Sequence, residues 1–230
     1  MSERTQTKHL VFEVPELERF DFAAGQFVSM VASREGKLQT RAYSIASAPR
    51  GNNSFDLCLN RVDQGFFSNL LCDLEYECDV DFHGPYGAFV LRHPLRDSIF
   101  VATGTGIAPM RGFVESLFDG EDRSEGKEIH LVYGTRHESE IYYRQYFEEI
   151  ARKFSNFHYT VTLSRPAEGW QGERGYVQDQ VKKIIESRPA ETRHAMDAYI
   201  CGLNAMVSAN RKQLTEMGWE RKQIVFERYD

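Results

Sequence analysis

The chain is predicted to be a β-barrel plus an α/β domain. A six-stranded antiparallel barrel is expected over residues 1–95, and a five-stranded parallel sheet with flanking helices over residues 96–230. Two observations carry this. The first part of the chain reads as short strand-like stretches broken by turn clusters, the spacing of a small antiparallel barrel. After His93 and Pro94 the pattern changes to apolar strands that alternate with amphipathic helices.

In the first half the strands are HLVFEV (9–14), GQFVSMVA (25–32), RAYSIAS (41–47) and SFDLCLNRV (54–62), with turns at SREGK (33–37) and APRGNN (48–53). In the second half they are SIFVA (98–102), IHLVY (129–133), HYTVTL (158–163), AYIC (198–201) and QIVF (223–226). Strand-helix-strand units need crossovers, so these should lie parallel, with helices on both faces. Met110, Phe113, Val114, Leu117 and Phe118 share one helical face. Phe147, Ile150, Ala151 and Phe154 repeat the pattern, as do Val177, Val181, Ile184 and Ile185. These stripes are core.

At 230 residues, each half is long enough to bury its own core. No apolar run is long enough to cross a bilayer, and the polar opening MSERTQTKHL is unlike a signal peptide, so the expected location is cytoplasmic. Acidic residues outnumber basic ones 34 to 28, which argues against nucleic-acid binding. Cys58, Cys72, Cys78 and Cys201 form no zinc or iron-sulfur spacing, and the first three read as fillers of apolar space. The seven histidines show no i, i+4 ligand pair, so no metal is expected. Tyr142, Tyr143 and Tyr146 are assigned to helix packing.

The strongest sign of chemistry is VATGTGIAP (101–109), where a buried strand meets a glycine turn and then a helix. Thr103, Gly104, Thr105 and Gly106 would bring backbone close to a diphosphate, with the unpaired N–H groups of the helix start aimed at it. Pro109 replaces the third glycine of G-x-G-x-x-G, so the fingerprint is incomplete. A tight strand-to-helix turn with no ligand would use the same residues.

Five motifs in order connect the two halves. Arg41-Ala42-Tyr43-Ser44 resembles the R-x-Y-S motif of the ferredoxin-NADP reductase superfamily, and residues 104–109 resemble its G-T-G-I-A-P loop. Gly65-Phe66-Phe67-Ser68 is similar to its G-x-x-S turn, Gly84-Pro85-Tyr86-Gly87 to its G-P-x-G segment, and Cys201-Gly202 to its late C-G pair. The resemblance spans nearly the whole chain and implies FAD in the barrel half and NAD(P)H in the other.

By this resemblance Arg41 holds the flavin diphosphate, Tyr43 lies against the isoalloxazine, and Ser44 hydrogen-bonds near N5. The turn at 65–68 would open a helix toward the same diphosphate. A surface pair, a barrel-core tyrosine and a helix cap are the ligand-free alternatives for Arg41, Tyr43 and Ser68, and for Ser68 the cap and the diphosphate contact are compatible. Ser164 and Arg165, with Arg174 and Tyr176, would hold a ribose 2′-phosphate and adenine, which favours NADPH with NADH as the alternative. Cys201 would align nicotinamide C4, without acting as a nucleophile. Glu227 and Tyr229 are similar to a Glu-x-aromatic ending, near nicotinamide and over the flavin, although Asp230 extends it by one residue.

The implied function is hydride transfer between NAD(P)H and flavin, then single-electron transfer to a separate protein: a ferredoxin, a flavodoxin or an oxygenase component. Reduction of free flavin or ferric complexes is an alternative, as is a non-catalytic nucleotide-binding subunit. The electron-transfer subunit of dihydroorotate dehydrogenase shares the scaffold, but its C-terminal cysteine cluster is missing here.

Overall fold

The computed structural model describes residues 5–229, so Asp230 lies outside the described residues. The first strands are β1 (Thr7–Glu13), β2 (Phe27–Arg34), β3 (Lys37–Ser44), β4 (Ser54–Asn60) and β5 (Asp81–Tyr86), with α1 (Phe66–Cys72) before β5. They pair antiparallel in two sheets, β1-β4 and β3-β2-β5. The chain changes sheets at residues 45–46, where the Ile45 N–H donates to the Gln26 carbonyl and the Ala46 N–H to the Asp56 carbonyl. Alternate side chains of β1 (Leu10, Phe12), β2 (Val28, Met30) and β4 (Phe55, Leu57, Leu59) point inward, and the rings of Phe12, Phe20, Phe55 and Phe82 meet at centroid distances of 5.1 to 5.6 Å in the barrel core.

Among the described residues this half has five strands, not the expected six. The segment after β5 joins no ladder. Its apolar residues have another use, because Phe89 and Leu95 are buried in the core of the second half, with Phe89 against Phe113 and Tyr199.

The second half runs β6 (Asp97–Thr103), a 3-10 turn (Gly104–Gly106), α2 (Ile107–Phe118), β7 (Ile129–Thr135), α3 (Arg144–Lys153), β8 (Phe157–Leu163), β9 (Glu173–Arg174), α4 (Val177–Ser187), β10 (Met196–Leu203), α5 (Asn204–Glu216) and β11 (Ile224–Tyr229). All six strands are parallel, in the order β11-β10-β6-β7-β8-β9. Five were expected from apolar runs; β9 is two exposed residues long, too short to show a hydrophobic period. Alternation along β6 sends Phe100 and Ala102 to the α2 and α3 side, and Ile99 and Val101 to the α4 and α5 side. Each predicted helical stripe faces this sheet: Met110, Phe113, Val114 and Phe118 are fully buried, as are Phe147, Val181 and Ile185.

The strand order reverses between β6 and β10. From β6 the chain proceeds outward through β7 and β8, then returns to place β10 on the other side. The carboxyl ends of strands at such a reversal leave a crevice, the usual place for a ligand in an open α/β sheet. Here those ends are Thr103 and residues 201–203, and the barrel stands against them.

Candidate active site

Three parts of the chain meet at the crevice. Ser44, at the end of β3, is buried, and its Oγ donates to Glu227 Oε1 at 2.6 Å across 183 residues. In the sheet register Cys201 pairs with Glu227 on one side and with Ala102 on the other. The Tyr229 hydroxyl is buried beside Ser44 and the Cys201 thiol. Thus Ser44, Cys201, Glu227 and Tyr229 form one cluster between barrel and sheet.

Its electrostatics follow from burial. Desolvation raises the Glu227 carboxyl above the usual carboxylate range, against the opposing Ser44 hydrogen bond. Burial, with the Glu227 charge adding to it, pushes the Cys201 thiol well up, so it stays protonated. A protonated, fully buried thiol packs and orients; it does not attack.

The glycine turn is built against the same strand end. A Cβ on Gly106 would collide with the Cys201 carbonyl, so this glycine serves the fold by letting the turn approach β10. Gly104 differs: its φ is +54° and no heavy atom lies within 4 Å of where a Cβ would stand, so this part of the turn faces open space. Thr103 Oγ1 is buried without a hydrogen-bond partner, Thr105 is half-buried, and Gly202 approaches Thr103 from the adjacent strand.

In the barrel, Arg41 and Tyr43 stand two residues apart on β3 and therefore share a face. Arg41 is exposed, as is Ala42, while Tyr43 is half-buried with its hydroxyl pushed up to about 12, mainly by burial and against the charge of Arg41. Gly65 precedes α1, where the N–H groups of Phe66 and Phe67 have no helical carbonyl to reach. Phe67 is buried in the barrel core, while Phe66 is half-buried with the Arg34 guanidinium 5.4 Å from its ring centroid. Ser68 is already engaged, accepting from the Val62 N–H at 3.0 Å and donating to the Gly65 carbonyl at 3.3 Å. Ser68 thus holds the turn that leads into α1 without capping the helix.

At the far carboxyl edge, Ser164 and Arg165 follow β8 and are exposed. Their N–H groups donate to the carbonyls of Thr135 and Arg136. Arg174 pairs with Leu163 in the register, and its Nη2 donates to the carbonyls of Ala167, Glu168 and Trp170. Tyr176, 64% exposed, begins α4 beside them. The four residues are thus neighbours, with Arg174 clamping the 167–170 loop.

Sequence reasoning missed a buried ionic network that joins the halves. Arg111 on α2 donates through Nη1 to the Ala46 carbonyl at 2.6 Å, Asp56 Oδ2 at 3.1 Å and Glu115 Oε2 at 3.2 Å. Arg50 bridges Asp56 at 2.6 Å and Glu115 at 2.9 Å. His9 contacts Asp56 and also Tyr143, whose ring and that of Tyr146 lie 5.2 Å from the Arg111 guanidinium. The tyrosines assigned to helix packing therefore line the barrel interface, and Tyr142 accepts from Thr7 at 2.9 Å. Burial would raise Asp56, but hydrogen bonds from His9 and Arg50 hold it well below the usual carboxylate range. No local spacing could reveal this, since the partners come from β1, β4, α2 and α3. One further correction concerns Cys78, which is exposed, whereas Cys58 and Cys72 are buried as expected.

A flavin dinucleotide needs cationic and N–H donors for its diphosphate, a flat wall and a polar group at its reactive edge. Arg41, the free N–H groups at the α1 start, the Tyr43 ring, and Ser44 with its buried partner are groups of these kinds, and in kind they fit a flavin dinucleotide. The open Gly104 and the unpartnered Thr103 hydroxyl fit a second nucleotide on the sheet.

These features define a two-domain nucleotide-dependent oxidoreductase. Residues 2–91 match the oxidoreductase FAD-binding domain family and residues 100–212 the oxidoreductase NAD-binding domain family. The chain is 40% identical to ferredoxin--NADP reductase B of Sorangium cellulosum, over 97% of this chain and 91% of that one. It is 30% identical to a CDP-6-deoxy-L-threo-D-glycero-4-hexulose-3-dehydrase reductase of Yersinia pestis, over 91% of this chain, and spans 60% of that protein's length. The crystal structure of an Amycolatopsis cytochrome P450 reductase matches with a TM-score of 0.84 at 25% identity, covering 99% of this chain and 66% of that one. The chain belongs to the ferredoxin-NADP reductase superfamily and is an FAD- and NAD(P)-binding oxidoreductase. Among the described residues no helix is long and apolar enough to cross a membrane.

Proposed function

We propose that this chain oxidises NAD(P)H and delivers the electrons to a separate protein, a ferredoxin, a flavodoxin or an oxygenase component. Bound FAD supplies the conversion, accepting two electrons at once and releasing them singly. The observation that carries the reading is the 2.6 Å Ser44–Glu227 hydrogen bond beside Cys201, because it joins the flavin side of the crevice to the nicotinamide side. The names of the Sorangium and Yersinia relatives, both reductases, support it. We divide the chain into an FAD-binding domain (1–95) and an NAD(P)-binding domain (96–230), a boundary supported by family matches that end at 91 and begin at 100. We take the cytosol as its location.

The protein's own residues bind, orient and exclude water. Arg41 and the first N–H groups of α1 hold the flavin diphosphate, while the neutral ring of Tyr43 walls the isoalloxazine. Ser44 Oγ sits at the reactive edge, oriented by its hydrogen bond to the Glu227 carboxyl, which burial raises above its ordinary value. Cys201 fixes the plane on which the nicotinamide rests, and Tyr229 covers the junction from solvent. Residues 103–106, with Gly202, receive the NAD(P)H diphosphate.

The test is an anaerobic titration. The purified protein should show bound-flavin absorbance that bleaches on adding NADPH or NADH, followed by reoxidation faster with ferredoxin or flavodoxin than with free FMN or ferric citrate. A colourless protein that takes up no FAD sinks the reading. Faster reoxidation by the small acceptors moves it to a free-flavin or ferric reductase.

Arg165 is assigned to the ribose 2′-phosphate, with Ser164 beside it, Arg174 as clamp and partner, and Tyr176 stacking on adenine. A charge-assisted hydrogen bond contributes about 1.5 to 3 kcal/mol. Arg165→Ala should therefore raise KM for NADPH about tenfold or more and leave that for NADH unchanged, as steady-state kinetics with each nucleotide will check.

A further inference from the structure

At the end of the parallel sheet opposite the crevice, β7 and β8 start side by side, and their register pairs His130 with His158. Directly paired residues project to the same face. The two imidazoles accordingly lie 4.5 Å apart between centroids, inclined by 21°. Glu128, just before β7, brings Oε2 to 2.6 Å from His158 Nε2. One ligand atom from each of the three residues lies within 4.8 Å of the other two. All three are partly buried, and the His130 ring has no hydrogen bond among the described residues.

We propose that Glu128, His130 and His158 form a peripheral site for a divalent first-row transition ion, best suited to zinc. Two imidazoles and one carboxylate match the preference of zinc and disfavour magnesium or calcium, which take oxygen ligands. Three protein ligands leave a fourth position for water. On binding, His158 would present the ring nitrogen that now faces Glu128 to the ion as a lone pair, with its ring proton carried on the other nitrogen. Arg188, whose charge reaches His130, is paired with Asp97 at 2.6 Å, and the other Asp97 oxygen accepts from the Glu128 N–H at 3.1 Å, so its charge is offset in part. Because the ligands tie β7 to β8 at their amino ends, binding stabilises the sheet without touching the nucleotide crevice.

The test uses the FAD-loaded full chain, stripped with EDTA and dialysed. Calorimetric titration with zinc chloride should show one equivalent bound, with magnesium chloride binding no better than to buffer-exposed carboxylates. Loss of even an outer partner weakens a metal site about 10- to 100-fold. His158→Gln and Glu128→Gln, both at partly exposed positions, should each weaken zinc binding at least that much. Zinc should raise the melting temperature of the wild type and not of either variant, while metal-free NAD(P)H oxidation stays equal in all three. Failure of the wild type to bind zinc at micromolar concentration overturns the proposal. Equal zinc affinity in wild type and both variants does so too, since the ion would then sit elsewhere.

Discussion

Replacing Ser44 by alanine should slow flavin reduction by NAD(P)H about 100-fold while leaving FAD bound. The hydroxyl is the link through which Glu227, on the last strand, reaches the barrel, and a misplacement of about 1 Å at reacting groups costs on that order. Without it, the buried Glu227 carboxyl loses the hydrogen bond that opposes its desolvation, so its proton affinity should rise further. Arg41→Ala should do the opposite: the preparation loses FAD, and whatever flavin is restored by excess FAD is reduced at close to the normal rate. Stopped-flow bleaching and flavin content, measured on both variants, separate the roles. If the two substitutions shift both quantities alike, the assignment of binding to one residue and orientation to the other is wrong.

The second large effect is expected at the domain interface. Arg111→Met should destabilise the protein by about 3 to 5 kcal/mol, the usual consequence of removing one partner from a buried ionic group. Asp56 and Glu115 would remain nearly enclosed, at 2% and 11% side-chain exposure, with only Arg50 and His9 to balance them. That is a large share of a domain's total stability, about 5 to 15 kcal/mol. Denaturant unfolding should show it, and Arg111→Met combined with Asp56→Asn should cost less than the sum of the two.

The same network sets an acid limit. Since Asp56 is lowered in the folded protein, its contribution is fully present above the ordinary carboxylate pKa, near ~4, and is lost as pH falls below that value toward its folded pKa. Asp56→Asn should therefore flatten the decline of stability below about pH 4. A decline as steep as in the wild type would place acid sensitivity in other groups.

Much of the site was legible in the chain because its motifs are local. The strand-to-helix run 101–109 contains both the buried strand and the turn it needs, and the apolar stripes of α2, α3 and α4 announce their buried faces by period alone. Gly106, placed at the diphosphate by its motif, carries a second constraint that local spacing cannot show: its missing Cβ is required by the Cys201 carbonyl, a neighbour 95 positions away. Ser68 likewise has a role in its own turn, through bonds to Val62 and Gly65, that the motif alone does not show.

The amino-acid order by itself determined the two-part architecture, the alternation of strands and helices, and the residue types that can grip two nucleotides, because these depend on periods of two or 3.6 residues and on short turns. Tertiary structure alone decided which distant groups meet: Ser44 with Glu227, Arg111 with Asp56, and His130 with His158. It also decided that the residues after β5 pack into the second core instead of adding a strand. Each of these depends on strand register and domain packing, which bring together side chains whose separation along the chain leaves no periodic trace.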